Sequence, residues 1–408
     1  MSRGLKPGRG DVRSKRGGFI HLLLVALPLF FATYFDVFLQ TIGGPEPAIF
    51  QYAAIGTFSL ALLFQLPTAR ASGARYSPYA RQFLLILIFY AAWTVLSFSY
   101  SSQSPIALET LKDRVRVAVF IAIFVHVLDR DDARILFERG SLAIAVIGAF
   151  LNFYDFFNPT FSTVPGRAAG LYGNPTISGF MLVSLGILGI RTVGFPLRQV
   201  VWALISLAVV ITFSRSAWLF VAISTIMLAA YGYFGRGRVR YVYAAALVLF
   251  ISAIAFIVLD RGTGEFVARS SLARYLNLDS LQRLGATTSV LSDYSSRQRA
   301  DVARLGLEYF ANSPFFGCGL GFTREWDSPI GTHNMYVLML AEGGLLGGTM
   351  YAAIIGFLIF RGSDRRLVLG LVVLSAGFFT HNLLDAPGQA LILAAAAVTR
   401  PPLKRAER

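Results

Sequence analysis

The sequence predicts an all-α polytopic membrane protein of about twelve transmembrane helices, with one long loop outside the membrane that carries short helices. Three observations predict it. Of 408 residues, 55% are hydrophobic and only 14% charged, with a mean hydropathy of +0.60, more apolar side chain than one water-soluble core can bury. The apolar residues come in runs near the length of a bilayer span. The basic residues gather in alternate gaps between those runs.

The first run, Phe19 to Leu39, follows the basic residues Arg3, Lys6, Arg9, Arg13, Lys15 and Arg16. It is long and ends in no small-residue cleavage site, so it is expected to stay as the first span. Runs near 48–66, 83–100, 114–128, 140–157, 176–190, 199–214, 216–234 and 241–259 follow, making nine spans within 1–259. Residues 260–332 form the long loop, and runs near 334–360, 367–383 and 388–399 close the bundle before a tail at 400–408. The last run is short, and the fourth opens on Lys112, Asp113, Arg114 and Arg116, so ten or eleven spans also fit.

Orientation follows from charge. With the N-terminus inside, the segments expected to be cytoplasmic hold 24 of the 37 Lys and Arg, while the short outer loops 41–47 and 384–388 hold none. Both termini are therefore expected inside and 260–332 outside. The net charge of +15 then reflects topology and contact with anionic membrane lipids, and no basic module with interleaved aromatics points to nucleic acid. A single cysteine, Cys318, excludes an internal disulfide framework, and four scattered histidines show no metal-ligand spacing.

This orientation puts Arg167, Arg215, Arg297 and His333 on one side, each near an expected helix start. Ser214, Ser296 and Thr332 are placed to cap helices that begin with Arg215, Arg297 and His333, and Pro175 after Asn174 suits another start. Several helix N-termini facing one cavity with two or three guanidinium groups would bind an anion such as pyrophosphate. In the loop helix expected from Arg297 to about Ala311, Arg297, Asp301, Arg304 and Glu308 form a polar stripe, and Val302, Leu305 and Tyr309 an apolar one. Arg299 competes with Arg297 for the functional place.

Each residue also has a plainer reading. Arg215 could be an interfacial anchor, Arg297 half of a solvated pair with Asp301, and His333 a structural histidine. Glu342 lies roughly 13 Å beyond His333 along the tenth span and needs a partner or a proton there. Gly343, Gly344, Gly347 and Gly348 read as small-xxx-small pairs for close helix packing. His21, His126 and His381 read as structural, and the Asp129-Arg130-Asp131-Asp132 run as a solvated loop.

In order along the chain, Arg167-Ala-Ala-Gly170 with Asn174-Pro175, Ser214-Arg215-Ser-Ala-Trp218, Ser296-Arg297, Asn312-Ser-Pro314-Phe-Phe-Gly317-Cys-Gly319-Leu-Gly321, His333-Asn334 and Ala341-Glu342-Gly343-Gly344 resemble the bacterial O-antigen ligase and polymerase superfamily of membrane glycan transferases. The resemblance covers roughly 165–348; before that only hydropathy matches. It implies a GT-C-like helical fold with a periplasmic loop, and a polyprenyl-pyrophosphate-linked glycan donor. It further implies a sugar hydroxyl acceptor and transfer at the outer face of the inner membrane with no metal or other cofactor. Arg215 and Arg297 match the family's functional arginines and His333 its essential histidine; Arg167, Asn174, Arg299, Asn334 and Glu342 are expected to line the substrate site. Two enzyme readings stay open, ligation onto the lipid A core and polymerisation of O-antigen or exopolysaccharide repeat units. A lipid or glycan transporter is the alternative from another class, disfavoured because its ionisable groups would lie near the midplane of both halves.

Overall fold

The computed structural model describes residues 25–72, 76–164, 166–259, 294–326, 331–360 and 362–399. His21, the basic N-terminal stretch, residues 260–293 of the long loop and the tail from 400 lie outside the described residues.

Among the described residues the chain is helical throughout, without strands. Helix α1 covers residues 25–32, followed by α2 (Phe35–Thr41), α3 (Pro47–Ser72), α4 (Pro78–Ser99), α5 (Pro105–Leu128), α6 (Asp131–Phe157), α7 (Pro175–Gly189), α8 (Leu197–Val210), α9 (Arg215–Ala230) and α10 (Val239–Leu259). The second half holds α11 (Tyr294–Asn312), the single turn α12 (Phe322–Glu325), α13 (Met335–Phe360), α14 (Asp364–Ala376) and α15 (Pro387–Val398). Helical segments thus fall on the apolar runs. Among the described residues, four helices, Pro78–Ser99, Asp131–Phe157, Pro175–Thr192 and Met335–Phe360, are long and apolar enough to cross a membrane; Leu197–Val210, Arg215–Ala230, Val239–Phe250 and Pro387–Val398 are apolar but shorter. The run 199–214 is longer than α8 because its last residues turn: Phe213 takes φ 48, and Trp218 Nε1 donates to the Val210 carbonyl at the helix end.

Local chemistry sets the starts. Pro78, Pro105, Pro175 and Pro387 stand in the first turn, where a missing N–H removes nothing from the ladder. Ser77, Ser104 and Asn174 cap the first three of these helices by accepting from backbone N–H groups. Inside a membrane, apolar surface alone gives helices little reason to associate, so close packing has to. The central α7 shows how: a Cβ at Gly179 would lie 2.2 Å from the Ala217 Cβ of α9, and one at Gly189 would lie 2.7 Å from the Glu138 carbonyl of α6.

The bundle has two chemically different ends. At one, Arg365 donates to the Leu188 carbonyl near the end of α7 (2.6 Å) and to Glu138 (2.8 Å). Arg366 donates to the carbonyls of Ala396 and Thr399 at the end of α15 (3.1 and 2.7 Å), and Arg191 pairs with Asp364 (3.2 Å). Arg365 and Arg366 thereby satisfy helix C-terminal carbonyls, where a cation also complements the dipole. At the other end the starts of α7 and α9 meet through Thr176 and Ser214, the start of α13 meets the loop after α14 through Met335 and Gly377, and Arg114 of α5 meets Asp385 just before α15.

One expectation is corrected here. The tenth span is not continuous: Gly344 takes φ 60 and ψ −155, a region essentially confined to glycine, and breaks α13 in two. The loop before α12 fits the break. Cys318 and Gly319 donate to the carbonyls of Ala341 and Glu342 (2.8 and 3.0 Å), while Leu345 and Leu346 donate to Pro314 and Phe315 (2.7 and 3.4 Å). A Cβ at Gly344 would lie 2.5 Å from the Phe315 backbone. Gly344 therefore admits a loop backbone, while Gly343 and Gly347 pack against a second helix, their Cβ positions 2.9 and 3.4 Å from Trp93 Nε1 of α4, and the groups freed by the break regain partners, as burial demands.

Candidate functional site

The loop 158–174 is built around a buried carboxylate. Asp155, at the end of α6, accepts from Thr160 and Phe161 N–H through one oxygen (2.9 and 2.8 Å) and from Ala169 and Gly170 N–H through the other (2.8 and 3.2 Å). This loop presents Arg167 to the turn before α9, where its Nε donates to the Thr212 carbonyl at 3.0 Å. Asn174 caps α7, its Oδ1 taking Thr176 and Ile177 N–H, and Thr176 Oγ1 lies 2.9 Å from Ser214 Oγ. The N-termini of α7 and α9 therefore sit side by side. Arg215 opens α9 as an exposed residue, three residues past the carbonyl that Arg167 holds. Ser214 stands at the cap position but spends its hydroxyl on Thr176 and Ser216 instead of the helix backbone.

Two further expectations about caps are corrected. Tyr294, not Arg297, begins α11, so Ser296 lies inside the helix. Asn334, not Thr332, caps α13, accepting from Tyr336 and Val337 N–H at 3.0 and 3.2 Å. His333 precedes the helix with φ 44, a left-handed conformation that costs a non-glycine residue roughly 1–2 kcal/mol. The geometry is fixed by Met335 N–H donating to the Gly377 carbonyl at 2.7 Å, which ties this turn to the loop after α14.

That loop brings His381 to His333, ring centroids 5.4 Å apart and planes at 71°. Burial first, then His381 and Arg299, hold the His333 imidazole down to about 4, so it is neutral at neutral pH. The influence of Arg299 places α11 beside the histidine. The helix packs there through Val302, Gly306 and Tyr309: a Cβ on Gly306 would lie 2.3 Å from Val337, and Tyr309 stacks edge-on against Phe322 at 4.6 Å. Arg297 and Arg299 are both exposed and, two residues apart, leave α11 in different directions. Phe220 of α9 meets Phe379 at 6.4 Å, so the loop that carries His381 also borders the α9 end where Arg215 starts.

Glu342 has the partner its place in an apolar run calls for. It is 2% exposed, and Arg114 donates to one carboxylate oxygen at 2.6 Å while Thr323 Oγ1 and N–H donate to the other at 2.6 and 3.3 Å. Arg114 also pairs with Asp385 (3.4 Å), which Arg324 reaches at 3.7 Å; Arg324 and Arg116 reach Asp113 at 3.5 and 2.7 Å. Glu342 thus fastens α5, α12 and the broken α13 together. The charged start of the fourth run, noted as awkward for a span, supplies its partner. Asp155, Arg114, Asp385 and His381 were not singled out as site residues from sequence, although a charge or histidine at the edge of an apolar run marks each. Elsewhere His126 Nδ1 lies 2.6 Å from Tyr76 Oη, and Asp129 holds the Ser77 N–H and hydroxyl at 2.7 and 2.6 Å.

This end of the molecule joins paired helix N-termini and arginines, suited to an anion, to a neutral imidazole, suited to accepting a proton. The fold and the site define a multi-pass helical membrane protein with a polar end that bears two histidines. Residues 200–352 match the family model described as O-Antigen ligase, which supports the O-antigen ligase and polymerase superfamily. The matched segment holds Arg215, Arg297, Arg299, His333, Asn334 and Glu342; Arg167 and Asn174 precede it. No curated protein matches the chain.

Proposed function

We propose that the protein is an O-antigen ligase-type glycosyltransferase of the bacterial inner membrane. It moves a glycan from a polyprenyl-pyrophosphate carrier onto a sugar hydroxyl of lipid A core, at the periplasmic face and without a metal ion. The observation that carries the reading is the family match over 200–352, which spans the arginines and the histidine gathered at one end of the bundle. Arg215 and Arg297, with Arg167 and the N-termini of α7 and α9, take the pyrophosphate. Arg299, beside His333, borders the same anion. As the bond from the anomeric carbon to the pyrophosphate oxygen breaks, negative charge grows on the leaving group. Fixed guanidinium groups stabilise it where other enzymes use a divalent ion.

His333 takes the proton of the acceptor hydroxyl as that oxygen bonds to the anomeric carbon. Asn174 and Asn334 set the helix starts that aim these groups, and Glu342 holds the floor beneath them. Deleting the gene should leave lipid A core without its polymer while free lipid-linked polymer keeps its length. Shortened polymer would instead assign repeat-unit polymerisation. Reporter fusions at 237 and 363 should read cytoplasmic; a periplasmic reading would put the site in the wrong compartment.

A further inference from the structure

The loop 377–386 is tightly bonded, with Gly377 accepting from Met335 N–H, Asn382 N–H donating to Thr380 Oγ1 (3.3 Å) and the Asn382 carbonyl accepting from Asp385 and Ala386 (3.1 and 2.9 Å). Within it, His381 keeps a ring nitrogen, Nδ1, buried and without a hydrogen-bond partner. A buried polar atom left unmade costs about 1–3 kcal/mol, and native proteins keep few of them. The unmade atom belongs to a ring whose neighbour is the His333 imidazole, at a 5.4 Å centroid separation. At that distance a turn of either ring brings one nitrogen of each within hydrogen-bond reach, about 3 Å. Gly331 runs close beside this ring, where a Cβ would lie 3.3 Å from His381 Cε1.

A general base needs its second nitrogen engaged, because that bond fixes both the tautomer and the direction of the ring. We propose that His381 is the positioning residue for His333, its buried Nδ1 accepting the hydrogen bond from the His333 ring N–H turned away from the acceptor. The base nitrogen then faces the sugar hydroxyl. The charged groups around the pair suit this role: Arg299 of α11 faces His333, while Arg324 of α12, Glu342 of α13 and Arg114 of α5 face His381. The surrounding arginines and burial keep His381 neutral, held down to about 4, and so able to accept. The inference rests on the reading of His333 as the base.

The test uses purified full-length protein with a polyprenyl-pyrophosphate-linked oligosaccharide and lipid A core. His381→Phe keeps a ring of similar size but has no acceptor. It should retain the donor KM and the thermal midpoint while kcat falls by about 10- to 100-fold, the range usual for a lost supporting hydrogen bond. His381→Asn restores an acceptor and should recover part of that loss over His381→Ala. A His381→Phe protein with wild-type kcat overturns the proposal; should it fail to fold, equal turnover in the Asn and Ala variants overturns it. His333→Ala measured alongside separates the two levels. Full activity there defeats the parent reading, whereas an inactive His333→Ala beside an active His381→Phe defeats this inference alone.

Discussion

Replacing Gly344 by alanine should destabilise the protein by about 3 kcal/mol or more, a sum built from two contributions. The backbone at φ 60, ψ −155 lies where a side chain costs about 1–3 kcal/mol. The new Cβ would also stand 2.5 Å from the Phe315 carbonyl carbon and oxygen, which are backbone and cannot swing aside. The loop must therefore back out, weakening the Leu345 and Leu346 bonds to Pro314 and Phe315, each worth about 0.5–1.5 kcal/mol net. The control is Gly56→Ala in α3, where the added methyl meets nothing within 4 Å. A helix-interior glycine replaced there should gain about 0.5–1 kcal/mol. Thermal unfolding of the purified proteins in one detergent reads both: Gly344→Ala should melt well below wild type and Gly56→Ala at or above it. A Gly344→Ala protein as stable as Gly56→Ala would refute the broken helix and return Gly344 to ordinary helix packing.

Arg215→Ala and Arg297→Ala should each abolish transfer in folded protein, with lysine rescuing only in part because it lacks the planar fork that grips phosphate oxygens; a chelator should change nothing. Full activity in either alanine variant, or recovery of chelated enzyme by a divalent ion, contradicts that role. In the buried pair, Arg114→Ala should lower stability by about 3–5 kcal/mol, and Glu342→Ala by less, since Arg114 keeps Asp385 at 3.4 Å. Equal melting of both variants with wild type would contradict the ion-pair account. Turnover should hold steady as pH falls through 6.5 and drop only toward pH 4, because the base acts when deprotonated and burial holds His333 down to about 4. An acid limb near 6.5 would mean an exposed, ordinary imidazole.

Much of this molecule was legible because local chemistry decided it. Apolar runs became helices, prolines and Ser77, Ser104 and Asn174 marked their starts, and the Val302 and Tyr309 stripe of α11 became its packing face. What was not legible has one physical origin, contact between residues far apart in the chain. Nothing near Gly344 announces a left-handed backbone, since that depends on the loop at 314–319 folding into it. Glu342 called for a partner, but Arg114 is 228 residues away. His381 looked like an interfacial histidine until the loop after α14 set it against His333. Thr332 and Asn334 are both good caps by type, and which one serves depends on His333 turning to φ 44.

The most direct test of the account is to measure donor binding and turnover separately in His333→Ala and His333→Gln. Glutamine can hold a hydroxyl by hydrogen bonding but cannot take its proton. Both variants should bind the polyprenyl-pyrophosphate donor as wild type does and lose about 10²- to 10⁴-fold in turnover, the range usual for a positioned acid–base group. A glutamine variant that turns over at the wild-type rate would contradict proton transfer to His333, and a variant that no longer binds donor would move the histidine into the pyrophosphate site.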